Sequence, residues 1–229
     1  MREADGWFAQ FVATEIRRMG RGIFFLAELG IVFVLIPLLI YKRVLPNLPI
    51  PFLLVMALVA FLRLRHDTQF DTSRLWNAGA AWQHLGPVLL RDAVLLVILG
   101  IAAWQWKPEL LFSLVKRSPV LWAAIMVLYP VLSVYPQEIL FRAYFLQRCA
   151  PLFGKGWLVI AASALAFGFV HIIFGNWISV VLSTIGGVLF ALTYLQSGSL
   201  LLACIEHALF GNFIFTIGLG QFFYHGTRR

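Results

Sequence analysis

The 229-residue chain is 61% hydrophobic and only 12% charged, with a formal net charge of +8. Such fractions lie far outside those of ordinary globular domains and put the chain among helical membrane proteins. In that class basic residues flank spans and meet anionic lipid, so the positive charge is no argument for nucleic acid. Its two cysteines, Cys149 and Cys204, have neither the number nor the spacing of a zinc ribbon or a disulfide framework, and are expected to pack as small apolar residues.

Residues 1–21 read as an N-terminal amphipathic interfacial segment. Trp7, Phe8, Phe11, Val12, Ile16 and Met19 recur at helical spacing there, beside Arg17, Arg18 and Arg21. The first strong apolar run begins after Arg21, is too long for a signal h-region and is not followed by a small-x-small site. It is therefore expected to be a span and not a cleaved leader.

N-terminal transmembrane helices are assigned to 22–118. A span needs about 20 apolar residues. The stretch 22–41 meets this with Glu28 as its one charge, whereas 49–62 is short, opens with Pro49 and Pro51, and reads as tilted, thinned or re-entrant. A polar loop is expected over 63–84. The next span, 85–106, ends at Trp104 and Trp106 and carries Arg91 and Asp92. Neighbours in sequence point apart on a helix, so these two are expected to find other partners or to snorkel, with Glu28 one candidate for Arg91. A second basic loop covers 107–117.

A helical core over 119–220 follows, with apolar runs at 119–135, 137–148, 157–174, 177–195 and 200–219, and then a tail, 221–229. Pro136 lacks a backbone donor and clashes with the preceding turn, which predicts a kink. A helix that continues through Pro136 gives seven spans; a break gives eight. The fold class is all-α, a polytopic helical membrane bundle of about seven to eight transmembrane helices, in one domain. Arg2, Arg17, Arg18 and Arg21 ahead of the first span favour a cytoplasmic N-terminus, while the later loops are nearly balanced.

Against this background the polar residues of the last third stand out. A charged side chain at mid-bilayer costs roughly 2.5–3.5 kcal/mol on insertion scales, so such residues usually face a wet, functional interior. Glu138 and Arg142 are four apart and share a helical face, where they can pair. Gln137 lies about 100° around the helix from Glu138. His171 follows Phe167 by four, and His207 sits mid-run beside Glu206, with Asn212 beyond. Each has a bland reading: the Glu–Arg pair as a lock between helices, a lone histidine as a satisfied core residue. Their gathering in three successive apolar runs favours a polar site, with Glu138, His171 and His207 expected to line one cavity.

The order Glu-x3-Arg, then Phe-x3-His, then His followed closely by Asn, each in an apolar helix, resembles the CPBP family of intramembrane proteases, which includes CAAX proteases and bacteriocin-processing enzymes. The resemblance implies core helices around a membrane cavity, a glutamate and a histidine that activate water, and a second histidine with an asparagine at the oxyanion. Carried over, it makes Glu138, His171, His207 and Asn212 catalytic, with Gln137, Arg142 and Glu206 supporting. Two positions depart from the pattern. The first glutamate of the family's Glu-Glu-x3-Arg motif is Gln137 here, and an amide cannot take a proton near neutral pH. The family's asparagine follows its histidine by four, where this chain has Gly211, with Asn212 one later. In a regular helix residues five apart sit about 140° from one another, so a π-type widening is expected between His207 and Asn212.

The residues also argue for hydrolysis on their own. Peptide cleavage needs a base for water, a stabilised oxyanion and a proton for the leaving amine. Two histidines and a glutamate can hold zinc with an open position, but the His-Glu-x2-His spacing is absent. A glutamate mechanism without cofactor is preferred, with zinc as the alternative. The implied partner is a membrane-associated protein or peptide in the lipid bilayer, with no nucleic acid, and the implied location is integral and multi-pass, in the plasma (inner) membrane. Two rival classes remain: an inactive relative acting as a binding or immunity protein, to which Gln137 points, and a proton-linked transporter, which the absence of matched inverted halves disfavours.

Overall fold

The computed structural model describes residues 26–224 except 47 and 155, and every regular element among them is helical. The amphipathic segment expected at 1–21 lies outside the described residues, as does most of the tail. Seven apolar helices succeed one another: α1 Leu26–Tyr41, α2 Pro49–His66, α3 Ala78–Trp106, α4 Pro119–Phe153, α5 Trp157–Phe174, α6 Trp177–Ser197 and α7 Leu200–Thr216. Helices α2 to α6 are each long and apolar enough to cross a membrane, while α1 and α7 are shorter. Large apolar side chains such as Val55, Leu90, Val97, Val120, Val127 and Leu165 are exposed. Charged Glu138, Arg142, Glu206 and Asp92 are buried. A chain with this inside-out distribution is an integral membrane protein, because only lipid accepts such a surface.

The helix through Pro136 does not break. Instead α4 widens to π-type turns at Pro130–Val134 and Ile139–Tyr144, with the Tyr135 N–H bonded to the Pro130 carbonyl five residues back. Proline has no N–H to give the carbonyl one turn earlier, and a widened turn re-registers the ladder around the gap. This makes α4 one element and settles the count at seven apolar helices among the described residues.

Other boundaries shift from those read in the sequence. The helix α2 runs on to His66, and α3 starts at Ala78, where the Asn77 side chain accepts the Ala80 N–H. The polar loop is thereby cut to 67–77, and α2 reaches 18 residues, enough for a span. Arg63, Arg65 and His66 fall in its last turn, a favourable place for basic groups. Helices α5 and α6 approach closely: a Cβ added at Gly187 would lie 2.9 Å from the Ala164 Cα. Small residues at such contacts let backbones meet without a hydrophobic drive between helices. Both cysteines are free, Cys149 buried and Cys204 partly so.

Candidate active site

Glu138, on α4 between the two widened turns, is 0% exposed, and its carboxylate is held from two sides. His207 of α7 places Nδ1 2.8 Å from Oε1. Arg142, one turn along α4, places Nε 3.3 Å from Oε2. The Arg142 guanidinium is itself 0% exposed and has no hydrogen-bond partner among the described residues. Its charge rests on the carboxylate and on two ring faces, Phe167 at 4.5 Å and Phe190 at 5.5 Å. Cation–π contact gains strength where water is excluded, so this arrangement tolerates a buried arginine that a carboxylate alone would hold less well.

His207 is fixed on every side. Phe190 stacks on it at 4.5 Å and 16°, and the edge of Phe167 meets it at 5.4 Å. Its Nε2 lies 3.0 Å from the Tyr129 hydroxyl of α4. Both ring nitrogens are thus engaged, one by Glu138 and one by Tyr129.

His171 stands where α5 tightens from α-helix to a 3-10 turn, Trp157–Val170 giving way to His171–Phe174. Its Nδ1–H donates to the Phe167 carbonyl at 2.7 Å, which leaves Nε2 carrying the lone pair. The ring packs 4.9 Å from Phe167. Phe167 is therefore the common neighbour of His171, His207 and Arg142, and through it α5 joins the centre that α4 and α7 form directly. Ser163, one turn before Phe167, donates to the Phe141 carbonyl at 2.9 Å and ties α5 to the widened part of α4.

Three sequence-derived residues sit elsewhere. Gln137 donates to the Ser133 hydroxyl at 2.6 Å, along its own helix and away from the carboxylate. Glu206 leaves α7 on another side from His207, as consecutive helical residues do, and pairs with Arg91 of α3. Arg91 also reaches Thr193 at 3.0 Å and Asp92 at 3.2 Å. Arg91 thus finds other partners, as expected, in Glu206 and Thr193, and its long side chain also curls back to its neighbour Asp92. Glu28 is not one of them, since Glu28 binds Arg63 of α2 and, at 2.9 Å, Arg148 of α4.

The widening expected at the third motif is absent: α7 is a regular α-helix over Leu200–Thr216. Asn212 points to α4, donating to the Met126 carbonyl at 3.3 Å. The reason lies in α4. Pro130 has no N–H to offer the carbonyl one turn back, Met126, and the asparagine of the neighbouring helix supplies a donor. In lipid an unpaired carbonyl costs several kcal/mol, roughly. The distortion foreseen between His207 and Asn212 is found instead on the helix that carries Glu138.

Tyr129 was not among the residues singled out from the sequence. Its signal was Gly211, one turn after His207, where a missing side chain admits a bulky neighbour, but spacing does not say which one. Among the described residues no three His, Cys, Asp or Glu side chains gather as a metal's ligands would. An apolar cavity of about 350 Å³, lined by Leu99, Ala103, Trp106, Trp177 and Leu182, lies between α3 and α6, apart from this centre.

Residues 118–213 match the family model described as Type II CAAX prenyl endopeptidase Rce1-like. That stretch, under half of the chain, holds Glu138, Arg142, His171 and His207 and is similar to CAAX-type membrane endopeptidases. No curated protein and no solved structure matches the chain.

Proposed function

We propose that the chain is an intramembrane endopeptidase that hydrolyses a peptide bond of a membrane-associated protein or peptide in the plasma (inner) membrane. Glu138 is the final acceptor of the proton of the attacking water, and His171 orients that water through its Nε2 lone pair. His207 serves as the partner of Glu138. Arg142 supplies the counter-charge beside that carboxylate inside the bundle. The mechanism is of the glutamic type, without a metal.

The observation that carries this reading is the contact between Glu138 and His207. A carboxylate and an imidazole from two helices meet at 2.8 Å with no exposure of the acid, inside the stretch that matches the protease family. A lock between helices needs only opposite charges. A carboxylate bonded to an imidazole is instead a pair between whose members a proton can pass. The oxyanion role of His207 and Asn212 draws no support from the geometry, because both imidazole nitrogens are engaged and Asn212 serves α4.

A second reading is favoured by Gln137. Its amide is bonded to Ser133 and cannot stand in for a base, as in an inactive relative that only binds its partner. The test is hydrolysis, by purified protein in liposomes, of a quenched-fluorophore peptide with a farnesylated C-terminus. Wild type should turn it over, chelator should leave the rate unchanged, and Gln137→Glu should preserve or raise it. Activity that appears only in Gln137→Glu would establish the inactive relative. Loss with chelator, restored by zinc, would move the mechanism to a metal.

A further inference from the structure

Glu138 is 0% exposed and His207 is buried, so neither meets a substrate directly in this arrangement. Tyr129 is the third group in the line, its hydroxyl 3.0 Å from His207 Nε2, and it alone of the three residues is only partly buried. Its ring lies along one face of α7, where His207, Gly211 and Phe215 follow at four-residue spacing. Phe215 meets it edge-on at 5.5 Å, and a Cβ at Gly211 would collide with its ring and hydroxyl. The missing Cβ at Gly211 is what lets the phenol come close enough to α7 for its hydroxyl to reach His207.

We propose that Tyr129 is a further catalytic residue, the outer terminus of a proton relay Tyr129–His207–Glu138; this rests on the endopeptidase reading. The directions follow from what each atom can do. An ionised Glu138 only accepts, so His207 Nδ1 carries hydrogen, Nε2 carries a lone pair, and the Tyr129 O–H donates to it. When water attacks the scissile carbonyl carbon, a C–O bond forms and the water proton passes to the Tyr129 oxygen. The tyrosine proton moves to Nε2, and the Nδ1 proton moves to Glu138. The carbonyl oxygen now bears the negative charge that Glu138 has lost, and the new Tyr129 O–H faces the reacting atoms. When the C–N bond breaks, Tyr129 gives its proton to the leaving nitrogen. Nε2 returns one to Tyr129, Glu138 returns one to Nδ1, and the first state is restored. One water is consumed, one acid and one amine are formed, and no outside donor enters.

Three variants and one spectrum test this. Tyr129→Phe keeps the ring and its packing but removes the hydroxyl. It should lower kcat on the farnesylated peptide by about 10²–10⁴-fold, the range of general acid–base catalysis, with KM little changed. Gly211→Ala keeps the hydroxyl but displaces it and should also lower kcat. The double variant should be no worse than Tyr129→Phe alone, because both changes break the same link. In protein labelled with nitrogen-15 at histidine, the His207 Nε2 resonance should move on Tyr129→Phe toward that of a nitrogen without a donor, whether or not substrate is present. Wild-type kcat in Tyr129→Phe, multiplying losses in the double variant, or an unmoved Nε2 resonance would overturn the relay. Glu138→Gln and wild type separate the levels. If Glu138→Gln is inactive while Tyr129→Phe is active, only the relay through Tyr129 falls. If Glu138→Gln is fully active, Glu138 is not the proton acceptor and the relay falls. If wild type does not cleave the peptide, the endopeptidase reading falls.

Discussion

Glu206 and His207 are consecutive on α7, so they leave the helix about 100° apart and enter two different polar centres. Glu206 meets Arg91 of α3, which also holds Asp92 and Thr193. His207 meets Glu138 of α4, with Arg142 behind the acid and Tyr129 in front of the imidazole. Both centres bury carboxylates beside one arginine. They differ in what surrounds the charge. The Arg91 centre sets two carboxylates and a hydroxyl around one arginine, and it ties α3 to α6 and α7. The Glu138 centre includes an imidazole with two engaged nitrogens and a wall of aromatic rings. Charge pairing alone makes a brace; a group that can gain and lose a proton makes a site.

The sharpest way to break the comparison is to remove the arginine from the brace. Arg91→Met keeps much of the volume but leaves Asp92 and Glu206 buried without a counter-charge, which costs about 3–5 kcal/mol when one partner of a buried pair is lost. Unfolding in detergent should show this loss, while the fraction that stays folded should cleave at the wild-type rate. Cleavage lost in step with Glu138 variants would show that the two centres are one.

The next effect belongs to the catalytic side. His171→Ala should lower kcat by about 10²-fold or more, with the unfolding midpoint little changed, since its ring is half-buried at the end of α5. An unaltered rate would return His171 to the class of satisfied core histidines. The smallest effect is expected at Asn212. Its amide patches the Met126 carbonyl, so Asn212→Ala should cost about 1–3 kcal/mol of stability and only slightly alter kcat. A large fall in kcat at unchanged stability would restore Asn212 to the oxyanion site.

Composition and the apolar runs made the helical membrane bundle legible, because a span must be long and greasy wherever it packs. The four charged or basic residues of the core were legible for a related reason: each is too costly in lipid to be accidental. Facing was harder. The period of a helix puts Glu138 and Arg142 together, but it cannot say that α4 widens twice around its prolines, and that widening decides which residues of α4 meet α7. The five-residue spacing of His207 and Asn212 therefore pointed to a distortion in the wrong helix. Pairing across elements was harder still. Glu28 with Arg63 and Arg148, Arg91 with Glu206, and Tyr129 over Gly211 all join residues distant in sequence, and only the packing of the helices brings them together.

The central claim is that the acid facing His207 works and the acid beside His207 braces. Parallel assays of Glu138→Gln and Glu206→Gln on the farnesylated peptide, with each protein shown to be folded, test it most directly. Each change replaces a carboxylate by an amide of nearly the same shape. The account predicts that Glu138→Gln loses about 10²–10⁴-fold in kcat while Glu206→Gln keeps a rate of the wild-type order. Cleavage that survives in Glu138→Gln and disappears in Glu206→Gln would contradict it.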